Sequence, residues 1–160
     1  MKTLVTLPTV AETRAFGARL ARVLRAGDLV VLAGPLGAGK TALVQGIGAG
    51  LGVLGEITSP TFVIARVHRP DPERGGRVAL VHADAYRLGT AADPCAEIDD
   101  LDLDASLDDS VTVVEWGEGM VEQLVDAHLL VRIDRRDDDS RVIELVPVGG
   151  DWAQRLAALD

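Results

Sequence analysis

The stretch LVVLAGPLGAGKTALVQ, from Leu29 to Gln45, constrains the fold more than any other part of the chain. A β-branched and apolar run, Asp28 to Ala33, leads into a glycine-rich turn, and the turn leads into a helical pattern. A short strand that is apolar along its whole length is buried on both faces, and such strands belong to α/β sheets with parallel pairing. The turn itself, Gly34 to Thr41 (GPLGAGKT), matches G-x-x-x-x-G-K-[ST] at every fixed position. Gly37 and Gly39 let backbone N–H groups converge on a phosphate, and the N-terminus of the following helix adds a favourable dipole. Lys40 is one of only two lysines, Lys2 being the other; every remaining basic residue is Arg. A compact ammonium on a long stem reaches β- and γ-phosphates as a point contact, where a planar guanidinium fork would not fit. The Thr41 hydroxyl can bind Mg²⁺. Lys40 is expected to be solvent-accessible before a ligand binds.

The rest of the chain reads as one α/β domain over residues 1–160, with parallel and antiparallel strands mixed in one sheet. Thr9 to Leu24 has a helical pattern: Thr9 and Glu12 have capping-box spacing, Phe16, Leu20, Val23 and Leu24 share a face, and Gly27 is placed to end it. Thr41 to Leu51 is a second helix, with Leu43, Val44, Ile47 and Leu51 inward and Gly46, Gly48 and Gly50 making it dependent on packing. Strands are expected at Val63 to Val67, Val78 to Ala83, Val111 to Val114, Leu129 to Ile133 and Val142 to Val146. HRPDPERGGR reads as a hairpin tip between the first two of these, and DRRDDDSR as the turn between the last two. A short helix is expected at Met120 to Val125 and a final one within Asp151 to Leu159.

Composition narrows the partners. A formal net charge of -9 makes a poor holder of nucleic acid on its own, because the phosphate backbone is repelled. Cys95 is the only cysteine, which removes any internal disulfide and any cysteine-based zinc site and fits a reducing cytoplasm. The N-terminus makes a poor signal peptide, since Pro8 and Glu12 break its apolar run, and no uncharged run approaches the ~20 residues that span a bilayer. The acidic run DDLDLDASLDD fails as a Ca²⁺ loop, because Ala105 stands where Gly is needed and Val111 where Glu is needed; it reads as a solvated face. His68, His82 and His128 have no metal-ligand spacing and read as surface or strand-end residues.

The chain contains no Asn, so the Asn-Lys-x-Asp segment with which many P-loop GTPases read guanine cannot exist, and ATP becomes the expected nucleotide. A second metal carboxylate should follow an apolar strand, and VTVVE supplies Glu115. GPLGAGKT, TSPTF (Thr58 to Phe62), HADAYRL (His82 to Leu88) and VEWGE (Val114 to Glu118), in this order, resemble the TsaE family of small bacterial P-loop ATPases required for making threonylcarbamoyladenosine in tRNA. The N-terminal AETRAFGARLA is also similar to that family's opening helix, and the resemblance is good from Glu12 to Trp116 and weak beyond Met120.

The resemblance implies a P-loop NTPase-like three-layer α/β fold. It implies that Gly37, Ala38, Gly39, Lys40, Thr41 and Ala42 hold the phosphates, with Thr41 and Glu115 on Mg²⁺ and Trp116 beside Glu115. Ser59, Pro60 and Thr61 would form a nucleotide-sensing loop. Asp84 would hold a Mg²⁺-bound water or position the attacking one, acting with Lys40 and Glu115 in hydrolysis, and Thr13 would lie near the adenine or ribose. Pro35 stands where the family commonly has an acidic or polar residue, and Ala83 and Ala85 where it has bulkier apolar ones. The resemblance further implies that a TsaB–TsaD pair performs the threonylcarbamoyl transfer, stimulates the ATPase and contacts the tRNA. The rival reading is a small-molecule kinase, which needs an acceptor pocket and an Arg-bearing lid; the Arg-containing segments read as hairpin tips, and no Arg finger in cis is expected.

Overall fold

The computed structural model describes residues 3–34, 39–53, 65–84, 110–115, 127–138 and 140–159. Its strands are β1 (Thr3–Leu7), β2 (Leu29–Ala33), β3 (Ala65–His68), β4 (Ala79–Asp84), β5 (Ser110–Glu115), β6 (His128–Arg135) and β7 (Arg141–Val148). Its helices are α1 (Val10–Ala21), α2 (Lys40–Leu51) and α3 (Trp152–Ala157), with a 3₁₀ turn at Pro72–Arg74. The expected helix at Met120 to Val125, the Thr58 to Phe62 loop and the acidic segment lie outside the described residues.

The strands form one seven-stranded sheet in the order β1-β7-β6-β2-β5-β4-β3. The centre is parallel, β6-β2-β5-β4. Both flanks are antiparallel, β3 on β4 and the hairpin β6–β7 with β1 outermost. The mixed sheet and both hairpins are as the sequence suggests. Strand β1 was not expected. It is five residues long, and it is placed only by its register on β7, Thr3 opposite Leu145 through Leu7 opposite Arg141.

Alternation within the central strands sends Val30, Leu32, Val111, Val113, Leu129 and Val131 into a core with Phe16, Leu20, Leu43, Val44 and Ile47 from α1 and α2. The intervening residues Val31, Val114, Leu130 and Thr112 are buried too. The parallel centre is therefore covered on both faces, as continuous apolar strands require.

The Thr9 hydroxyl caps α1 by accepting from the Glu12 N–H at 3.1 Å. The helix ends at Ala21, earlier than expected, and Gly27 (φ 94°) instead shapes the turn into β2, where its N–H donates to the Ser110 carbonyl. Helices α1 and α2 pack backbone to backbone. A Cβ on Gly46 would stand 2.0 Å from the Arg14 carbonyl oxygen, and one on Gly17 2.4 Å from that of Leu43. Gly46 and Gly50, which weaken α2 as an isolated helix, are thus residues that let α1 seat against it. Helix α3 locks onto the connection between α1 and β2: the Arg155 guanidinium pairs with Asp28, donates to the Val23 carbonyl and stacks on Trp152 of its own helix at 4.0 Å.

Candidate functional site

The site forms where three parallel strands end together. Gly34 follows β2 directly, Leu32 of β2 is level with Glu115 of β5, and Asp84 of β4 is level with Glu115 on the other side. Ligands of open α/β sheets bind outside the carboxyl ends of the strands. The phosphate-loop start, Glu115 and the Asp84 position therefore share the right edge, although they lie far apart in sequence.

Residues 35–38, which include Gly37 and Ala38, lie outside the described residues, but both ends of the loop are placed. A Cβ on Gly34 would meet the Ile133 carbonyl oxygen at 2.2 Å, so only glycine allows β2 to turn so close to β6. Gly39 precedes α2 with φ 106°, a left-handed conformation that a side chain would strain. Lys40 opens the helix and folds back across the loop, its ammonium donating to the Gly34 carbonyl at 2.8 Å. It is only 5% exposed, which corrects the expectation of a solvent-accessible lysine: its ammonium is turned onto the Gly34 carbonyl at the end of β2. Thr41, half-buried, and Ala42, buried, follow in the first turn of α2.

Arg141, the last residue of the segment read as a hairpin tip, is instead buried at the start of β7, its Nε 3.3 Å from where a Cβ on Gly39 would lie. A lysine, an arginine and a helix N-terminus thus lie at the C-terminal end of the loop, an arrangement that suits an anion. The fit to a nucleotide's phosphates and its divalent cation is good. Gly34 leaves no room for a side chain, Gly39 takes a backbone conformation that side chains rarely adopt, Lys40 brings an ammonium to the loop, and Glu115 offers a hard oxygen ligand at its edge.

Glu115 is buried, and its Oε2 accepts from Nε2 of His82, also buried, at 2.5 Å. All three histidines are buried, against the surface reading, though His68 and His128 do stand at strand ends. Thr13 is buried on α1, with its hydroxyl donating to the Thr9 carbonyl at 3.2 Å. A contact with adenine or ribose would require that hydroxyl to turn away. Trp116, Ser59, Pro60 and Thr61 lie outside the described residues.

A parallel strand running into a glycine-edged loop and a helix that opens on lysine, with an acidic residue closing the neighbouring strand, defines an α/β protein of the P-loop NTPase kind. The comparisons carry this further. The family described as threonylcarbamoyl adenosine biosynthesis protein TsaE matches residues 7–143, beyond the stretch that carried the sequence resemblance. A tRNA threonylcarbamoyladenosine biosynthesis protein TsaE of Streptomyces coelicolor is 56% identical over 144 residues, covering 88% of this chain and 93% of that one. Its counterpart in Bacillus subtilis is 36% identical, covering 86% and 81%. The crystal structure of YdiB from Bacillus subtilis superposes with a TM-score of 0.78 at 28% identity, covering 99% of this chain and 94% of that one. The chain belongs to the TsaE family, whose members take part in threonylcarbamoyladenosine biosynthesis. Among the described residues no helix is long and apolar enough to cross a membrane.

Proposed function

We propose that this chain is a cytoplasmic Mg²⁺-dependent ATPase that serves the formation of threonylcarbamoyladenosine in tRNA by acting on a TsaB–TsaD partner pair. The observation that carries the reading is the placement of Gly34, Lys40 and Glu115 at the adjoining carboxyl ends of β2 and β5. Lys40 exchanges its bond to the Gly34 carbonyl for the β- and γ-phosphate oxygens. The backbone N–H groups of Gly39 and the first turn of α2, through Thr41 and Ala42, receive the same phosphates, with Gly37 and Ala38 completing the cradle. The Thr41 hydroxyl and the Glu115 carboxylate would hold Mg²⁺, which would supply charge neutralisation for the phosphates. Asp84, level with Glu115, orients the attacking water, and Arg141 adds positive charge beside the loop.

Arg141 also favours the second reading, a small-molecule kinase, since such enzymes bring an Arg to the γ-phosphate. One assay separates the two: phosphate release from Mg-ATP with water as the only acceptor, with and without TsaB–TsaD. Slow release that the partners accelerate is expected, with background release from Lys40→Ala. Release that ignores the partners, or phosphate transfer seen only with a small-molecule acceptor, would overturn the proposal. The net charge of -9 further predicts negligible tRNA binding by the chain alone at physiological salt.

A further inference from the structure

We infer that His82 is the positioning residue that fixes the Glu115 carboxylate for the divalent cation, an inference that rests on the Mg-ATP reading above. Glu115 ends β5 at the sheet edge where the phosphate loop begins, and its carboxylate needs a fixed orientation to serve as a ligand. A ligating group has to be held within about 0.5 Å of its working position. His82 sits on the neighbouring strand, level with Val113, so its ring reaches diagonally along the shared face to Glu115. Its side chain is fully enclosed, that of Glu115 nearly so, and Nε2 donates to Oε2 at 2.5 Å. That bond occupies one carboxylate oxygen and leaves Oε1 as the one to face a cation.

The other ring nitrogen, Nδ1, is buried with no hydrogen-bond partner among the described residues. An imidazole chosen only to fill the core would be a poor choice, because an unpartnered buried polar atom costs about 1–3 kcal/mol that an apolar side chain would not incur. Among the described residues the ring's one hydrogen bond is to the carboxylate. Groups that orient a metal ligand from behind change metal affinity about 10- to 100-fold when removed.

The test measures ADP affinity by calorimetry, once with Mg²⁺ and once with a chelator, in the wild type and in His82→Leu, His82→Gln and His82→Asn. The ratio of the two affinities reports cation coupling separately from nucleotide binding. His82→Leu should lower that ratio about 10-fold or more, with the chelator-state affinity left at the wild-type value. The side-chain nitrogen of Gln can take the place of Nε2, so His82→Gln should recover most of the ratio. Asn reaches only the place of Nδ1 and should not recover it, and this Gln–Asn contrast decides the matter if His82→Leu does not fold. Affinities that fall together in both conditions, with the ratio unchanged, would make His82 merely structural and overturn the inference. A wild-type ratio of one would instead overturn the Mg²⁺ reading on which it rests.

Discussion

Gly46→Ala is the sharpest test of how the phosphate-loop helix is held. By helix propensity alone the change should stabilise α2 by about 1 kcal/mol, since Gly is the poorest helix former after Pro. The packing opposes it. The new Cβ would stand 2.0 Å from the Arg14 carbonyl oxygen, 2.8 Å from its carbonyl carbon and 2.9 Å from its Cα. All three atoms are backbone, so no rotamer change relieves the overlap. A carbon and a carbonyl oxygen settle at about 3.4 Å, and α1 must therefore move off α2 by more than about 1 Å. Overpacking costs about 1–3 kcal/mol when side chains can adjust, and more when they cannot. We expect a net loss of about 2 kcal/mol after the propensity gain. For a chain of this length that lowers the thermal midpoint by about 4–8 °C. Circular dichroism on heating, backed by urea titration, measures it. A midpoint that stays put or rises would refute close backbone packing as the role of this glycine. Since α2 carries Lys40 and Thr41, nucleotide affinity should weaken in the same variant.

Arg155→Ala should cost about 3 kcal/mol in urea titration, because it leaves the buried Asp28 without its guanidinium and frees the Val23 carbonyl; a loss below about 1 kcal/mol would mean that α3 is not a lock. Glu115→Gln should keep nucleotide binding in chelator but lose Mg²⁺-dependent phosphate release, and unchanged turnover at limiting Mg²⁺ would remove Glu115 from the metal site. The Asp138 carboxyl is held below its ordinary range by the Ser140 hydroxyl and then the Ser140 N–H. A depressed folded value means that its contribution is complete above the ordinary aspartate range and lost as pH falls through the folded one. Ser140→Ala should move the Asp138 titration upward by NMR, and an unmoved titration would discard the hydroxyl as the leading cause.

What the sequence discloses about this protein is what acts locally. The phosphate loop, the Thr9 cap, the two hairpins and the acidic end of β5 each depend on residues a few positions apart, and each is readable. The losses have a common cause in the sheet. Strand β1 is too short to have a period of its own and exists through β7. His82 reads as an isolated polar residue until sheet order brings it to Glu115, 33 positions away. Arg141 reads as part of a charged turn because nothing near it in sequence reveals that β7 starts beside Gly39. Burial of Lys40 goes with its bond back to the Gly34 carbonyl, which no spacing rule reports.

Strand order also has a consequence for how the chain is made. The neighbours of β2 in the sheet are β5 and β6, which are not complete until residue 135. A ribosome therefore releases the most apolar strand of the protein long before either flank exists to cover it. Loop closure of that length is slow, and an unpaired apolar strand invites association with other nascent chains. Chains that stop short of β5 should accordingly be insoluble or chaperone-bound, and the acquisition of a protease-resistant state during synthesis should come late, as β6 leaves the exit tunnel.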